Sequence, residues 1–444
     1  MTAFADRVGR SSLGIEVVPV VAVAALGALT AALVAAWPLQ ILIGTIAAVA
    51  VVVCLLRVEV AVLVLVAFAP LELALSLGAN SQLSPTKLAG LLCFTSFALF
   101  AIATNRRLVF DRVQGAAVVI LGVALFSTIG ARDQALATST TARYASFVAL
   151  CFVVAQFVGN HRLETRIAWV LSIGSAVTGV LALSSFFSGE TSAARLPLGD
   201  PGDIGFILAT TLPFTFWLTR ERGLKRAAAI ALIGVILVAA ILTLSRGTIV
   251  GLGVGLVWIL VSDPRRSLRI ALVGGIVAIV GFAGVVHFER DRIASGLERK
   301  AKVAQQNVDT RLAAWSAAAR FAAESPLVGV GPGNFRNRYH EYADVPPGVA
   351  TISVVHNSFL DVAAELGPIA MLAFIAYLVL VFQRLTIAVR ERRGPPGFAV
   401  AARVSLVIGL AASLTLTEQY YAPFWLLGGL AVALARDERA PTSA

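Results

Sequence analysis

Apolar runs of about twenty residues recur along this chain of 444 residues, and their length decides what it can fold into. A helix rises about 1.5 Å per residue, so such a run matches the roughly 30 Å hydrocarbon core of a bilayer. Backbone polar groups find no water there, which leaves the helix as the form each run takes. Fourteen candidate spans can be marked, near 16–37, 39–56, 60–78, 86–104, 113–131, 142–159, 167–187, 203–219, 227–244, 247–262, 269–287, 358–383, 397–415 and 419–435. The chain is 58% hydrophobic and 14% charged, which suits an all-α polytopic membrane protein. The expected fold has about 12–14 transmembrane helices and one large helical loop. The first run, Val17–Trp37, is too long for a cleaved signal and reads as a retained span.

Charge sets the orientation. The basic residues gather at alternate span ends: Arg106-Arg107 with Arg112, Arg162 with Arg166, Arg220 to Arg226, Arg265-Arg266 with Arg269, Arg384 to Arg393, and Arg436 with Arg439. Positive residues favour the cytoplasmic side, so both termini are expected there and the long loop outside. The net charge of +11 is therefore a membrane signal rather than a nucleic-acid one. Cys54, Cys93 and Cys151 all fall inside apolar runs, where a cysteine is a small core residue. The organisation expected is spans over 1–287, the loop over 288–357, and the last spans with a cytoplasmic tail over 358–444.

Long polar loops between spans are uncommon unless they carry function. Residues 290–306 place Ile293, Leu297, Ala301 and Ala304 at helical spacing, as an interfacial helix would. A second helix, capped by Asp309 or Thr310, runs through Ala323 with Leu312, Trp315, Ala319 and Ala322 on one side. Glu324-Ser-Pro326 stops it. Glycines 329, 331 and 333 with Pro332 predict an irregular turn, followed by a short helix over Asn334–Tyr342. The chain re-enters the membrane from His356, and Gly367-Pro368 breaks that helix before the true span.

Three residues stand out chemically. His356 opens the re-entry helix, with Asn357, Asp361 and Glu365 at i, i+4 spacing beside it. A neutral imidazole there can take a proton or orient a hydroxyl; the plainer reading is an interfacial histidine that only ties down the loop. Arg246 stands in Ser245-Arg-Gly247, a turn between two apolar runs. An arginine at membrane depth costs about 2.5–3.5 kcal/mol and calls for an anionic partner, unless it snorkels to lipid phosphate. Arg311 lies four residues before Trp315 and is otherwise one loop cation among many. The guanidinium fork suits phosphate oxygens, and two forks facing a membrane-embedded diphosphate would stabilise the charge growing on it as it leaves. Arg195 and Asp200, in the loop before Pro201, are candidates to line the same chamber. The glycine-rich turn lacks the preceding strand and lysine of a nucleotide loop. No metal-ligand spacing appears in the loops expected outside, so a metal-dependent mechanism is not favoured.

The ordered set Ser245-Arg246-Gly247, Arg311 to Trp315, Ser325-Pro-Leu-Val-Gly-Val-Gly-Pro-Gly-Asn-Phe335, His356-Asn-Ser-Phe-Leu360 and Glu365-Leu-Gly367 resembles the O-antigen ligase family, which also takes in related polymerases. The match is best over about residues 200–385; upstream, only the rhythm of spans agrees. The resemblance implies a GT-C-like glycosyltransferase of the bacterial inner membrane that uses no nucleotide sugar, no metal and no cofactor. It implies an undecaprenyl diphosphate-linked glycan as donor and a glycan or glycolipid as acceptor. It makes His356 the activator of the acceptor hydroxyl, with Arg246 and Arg311 on the leaving diphosphate; Asn357, Asp361, Arg195 and Asp200 are candidate supporting residues by their positions alone. Asp200-Pro201-Gly202 departs from the Asp-Pro-Asn of many members, which puts the part played by Asp200 in question.

Ligation and polymerisation would use the same chamber, and the sequence does not separate them. The alternative is a membrane transporter or carrier of the bicarbonate-related kind. That would call for paired broken helices with ionisable groups at mid-membrane in repeated halves, and no such repeat is visible. A purely structural membrane protein would leave His356 and the arginines dispensable.

Overall fold

The computed structural model describes residues 38–72, 84–105, 108–157, 159–188, 193–194, 196, 200–262, 294, 298, 304–342 and 354–436. Residues 1–56 and 57–444 form two units, and the described part of the first is one helix, α1, Pro38–Leu56. The second unit holds α2 (Val58–Phe68), α3 (Pro85–Thr104), α4 (Arg112–Ile129), α5 (Gln134–Val154), α6 (His161–Phe187), α7 (Pro201–Leu218), α8 (Leu224–Leu242) and α9 (Arg246–Ser262). It continues with α10 (Ala304–Glu324), α11 (Phe335–Arg338), α12 (Ser358–Arg390), α13 (Phe398–Ser413) and α14 (Ala422–Ala435). No strand occurs among the described residues, and six of these helices are long and apolar enough to cross a membrane. The protein is an all-α, multi-pass membrane protein.

Local chemistry starts these helices. Asp111 caps α4 by accepting from Val113 N at 3.1 Å, while the Gln114 side chain accepts from Asp111 N at 2.8 Å. Asp133 accepts from Leu136 N at 2.9 Å and starts α5 at Gln134, eight residues before the span expected at 142. The polar run Gln134–Thr141 hid that turn of helix from a hydropathy reading. The span expected over 60–78 is likewise revised: α2 ends at Phe68, where Pro70 follows and Thr178 donates to Pro70 O at 2.8 Å. The expected spans near 16–37 and 269–287 lie outside the described residues.

The centre of the second unit is α14, where every residue except Pro423 is buried. It packs against α5, α12 and α13. Glycine permits the approach: a Cβ at Gly429 would stand 2.7 Å from Cys151 O. Fourteen residues rise only about 21 Å, so the connection that precedes α14, residues 414–421, enters the bundle. Its Leu416, Thr417, Glu418 and Gln419 are all buried.

In the loop between α9 and α12, α10 begins at Ala304 and runs through Asp309 and Thr310, so neither residue is the cap expected there. It ends at Glu324 as expected. The buried side is Ala314, Ala317, Ala318 and Phe321, with Ala322 at its edge, while Leu312 and Ala319 are exposed. The face is rotated from the expected one because α10 packs on α12 through Val330, Phe335, Tyr339, Val355 and Ala364. The helix expected over 290–306 lies almost wholly outside the described residues.

The glycine-rich segment is a clasp on α12. Gly367 leaves the helix at φ 86° and ψ 162°, ending a first half that runs Ser358–Leu366. The carbonyls freed by that break are taken up by the turn: Val330 N donates to Ala364 O and Gly331 N to Glu365 O, each at 3.0 Å. The Glu365 carboxylate accepts from Gly333 N at 2.6 Å and Phe335 N at 3.1 Å. Asn334 locks the clasp to the α4–α5 corner, accepting from Asp133 N at 2.9 Å and donating to Asp133 O at 3.2 Å. Glycine is required at 329, where φ is +63° and a Cβ would overlap the backbone of Glu365.

Candidate functional site

His356 sits one residue outside the cap of α12. Asn357 is the cap: its side-chain oxygen accepts from Phe359 N at 3.0 Å and Leu360 N at 3.1 Å, and its Nδ2 donates to Leu414 O at 3.2 Å. His356 itself takes a left-handed conformation, φ +55°, uncommon for a side-chain-bearing residue and frequent at functional sites. The turn is held from the other side by Trp315, whose indole N–H donates to Val355 O at 3.0 Å. Arg311 lies one helical turn before Trp315, which explains the spacing of that pair.

The connection 414–421 ties the remaining pieces together. Ser358 Oγ donates to Leu416 O at 3.0 Å and accepts from Glu418 N at 2.8 Å. The Leu416 side chain lies against the start of α7 and the start of α9: a Cβ at Gly202 would be 2.8 Å from its Cδ2, and one at Gly247 would be 2.7 Å from its Cγ. Hence the glycine in Ser245-Arg246-Gly247 is a packing requirement that brings Arg246, the first residue of α9, to this place. Asp200 caps α7 by accepting from Gly202 N at 2.9 Å. Three helix N-termini, those of α7, α9 and α12, thus meet around one segment, and their partial positive charges favour an anion.

Electrostatics joins the side chains. Burial, then Arg311, pushes the His356 imidazole below the ordinary histidine value, with Asp200 pulling the other way. Arg311 is lowered by burial and by Arg246, again opposed by Asp200. The two guanidiniums therefore sense each other, and Asp200 is the one carboxylate that acts on both Arg311 and His356. Neither Arg246 nor Arg311 forms an ion pair among the described residues, and His356 has no hydrogen-bond partner there. The arrangement offers two cations and a neutral base to a ligand.

His356, Arg246, Arg311, Asn357 and Asp200 are therefore brought to one region. Asp361 is elsewhere: it accepts from Tyr420 O–H at 3.0 Å and from the Gln419 amide, so it braces the 414–421 connection. Arg195 lies outside the described residues. The sequence reading passed over Ser358, Leu416 and Glu418. The signal was present in Thr417-Glu-Gln-Tyr-Tyr421, a polar run between two apolar spans, since an acid at membrane depth marks function by default. No group of three or more His, Cys, Asp or Glu fit to hold a metal ion occurs among the described residues.

Residues 228–375 match the family model described as O-antigen ligase. That stretch contains Arg246, Arg311, the glycine clasp and His356. Comparison with curated proteins finds no match.

Proposed function

We propose that this chain, whose residues 228–375 belong to the O-antigen ligase family, moves a glycan from an undecaprenyl diphosphate carrier to a hydroxyl acceptor on the outer face of the bacterial inner membrane. The observation that carries this reading is the meeting of Arg246, Arg311 and a depressed-pKa His356 around the 414–418 segment. In the reaction an acceptor oxygen attacks the anomeric carbon and the bond from that carbon to the diphosphate oxygen breaks. The bonding pair leaves with the diphosphate, whose growing charge Arg246 and Arg311 neutralise. The hydroxyl proton passes to an imidazole nitrogen of His356, which is neutral and free to accept it. A sugar diphosphate already carries a good leaving group, so positioning, charge neutralisation and one base suffice. Transport has no comparable support, because the unpaired cations and the base gather at one place on the bundle. The gathering of basic residues at alternate span ends supports cytoplasmic termini in this arrangement.

A strain deleted for the gene tests the function. It should accumulate carrier-linked glycan; single units would mark a polymerase and long unattached chains a ligase. Unchanged carrier-linked pools and unchanged surface glycan would contradict the proposal.

The pH profile follows from the sign of the His356 shift. The base form is needed, and the folded value lies below about 6.5, so kcat/KM should be flat at neutral pH and fall only below that value. A bound diphosphate stabilises the imidazolium, so the acid limb of kcat should lie at higher pH than that of kcat/KM. A kcat/KM limb above the ordinary histidine value would contradict the assignment. Arg246→Lys should lower kcat/KM roughly tenfold or more, because a point charge replaces a fork. Unchanged kcat/KM in that variant would mean that Arg246 only anchors to lipid.

A further inference from the structure

Glu418 is fully buried in the 414–421 connection, and neither of its carboxyl oxygens has a hydrogen-bond partner among the described residues. The neighbouring Thr417 Oγ1 is likewise unpartnered. Buried polar atoms are nearly always satisfied in native proteins, so two successive residues that are not call for an explanation. Their surroundings are specific. Glu418 feels the charges of Asp203 and Asp200, and Asp200 is the same carboxylate that acts on His356 and Arg311. Asp203 accepts from Tyr421 O–H at 2.8 Å. Arg143, half-buried on α5, is ion-paired with Glu72 at 2.9 Å and more weakly senses Tyr421, Tyr420 and Asp203. Arg143, Asp203 and Tyr420 keep part of their surface open, while Glu418 is closed off from solvent.

Acids, an arginine and tyrosines in one cluster are the groups that recognise a polyhydroxylated ring, by hydrogen bonds to its hydroxyls and contact with its apolar face. An unpartnered carboxyl accepts a hydrogen bond from a hydroxyl, and donates one when it is protonated. A metal ion is a poor alternative, since no ligand set for one exists among the described residues.

We infer that Glu418, with Asp203 beside it, forms a sugar-hydroxyl subsite adjoining the His356 turn, and that Glu418 is a specificity-determining group for a glycan ring. This rests on the proposed glycan transfer. The ring belongs to the donor or to the acceptor, and both present the same hydroxyl chemistry.

The test uses the full-length protein in detergent, with two probes: the carrier-linked glycan that accumulates in the deletion strain, and undecaprenyl diphosphate without sugar. Glu418→Leu should weaken binding of the glycan-bearing lipid about tenfold or more and leave the sugar-free lipid unchanged, while Glu418→Gln should stay close to wild type. If the donor binds normally, the KM for acceptor should rise instead with kcat largely kept, which places the ring on the acceptor. Equal weakening for both lipids, or no change in donor binding and acceptor KM, would overturn the subsite. Failure of the proposed function is distinct: the wild-type protein would then bind neither lipid. A Glu418→Leu protein that does not fold, alongside a Glu418→Gln protein with unaltered binding, leaves Asp203→Asn to report. It should show the same split between lipids, and its absence would count against the subsite.

Discussion

Replacing His356 by alanine should cut glycan transfer severely while the protein still inserts and folds normally. A positioned base contributes about 10²–10⁴-fold, so kcat should fall by that factor with donor affinity nearly kept. Folding should survive because the imidazole bonds to nothing among the described residues; the turn is held instead by Asn357 and by Trp315 on Val355 O. Alanine is also no worse than histidine in the left-handed conformation by more than about 1 kcal/mol. The measurement is transfer by purified protein, with yield and thermal midpoint as controls. Transfer at the wild-type rate would reject His356 as the base.

Gly329→Ala should be the most damaging single methyl group in the segment between α9 and α12. The left-handed backbone alone costs an alanine about 1–2 kcal/mol, and its Cβ would overlap the Glu365 backbone. Relief of that overlap pulls Val330 and Gly331 away from Ala364 O and Glu365 O, leaving carbonyls of the broken helix unpaired. A total above about 3 kcal/mol is expected, read as a large drop in thermal midpoint in detergent. The comparison is Gly253→Ala in α9, where no atom lies within 4 Å of the added methyl. That change should be neutral or slightly stabilising, by up to about 1 kcal/mol. Equal midpoints for the two variants would contradict the clasp.

The clasp also shows where sequence reasoning reaches its limit. The rhythm of spans, the break at Gly367 and the position of His356 at a helix start were legible, because each rests on local length, backbone restriction or capping. The partner of the glycine turn was not, since the carbonyls of Ala364 and Glu365 lie more than thirty residues on and no periodicity links them. The helix that carries Leu312 was legible but its face only in part: Trp315 and Ala322 pack inward as expected, while Leu312 and Ala319 are exposed, because contacts with α12 and the glycine clasp decide which side is buried. Ends judged by hydropathy erred where polar residues are helical, as at Gln134–Thr141, and where a proline ends an apolar run, as at Pro70. The connection 414–421 read only as a gap between the last two spans. In the fold it holds the starts of α7, α9 and α12 together, and so assembles the site.

Everything turns on this cationic, imidazole-bearing region facing away from the cytosol. Leu312, exposed on α10 one residue from Arg311, gives a direct reporter, since the three native cysteines are buried. With Leu312→Cys in intact spheroplasts, a membrane-impermeant thiol reagent should label the protein without permeabilisation. Labelling only after the membrane is opened would put the site on the cytosolic side and contradict the account.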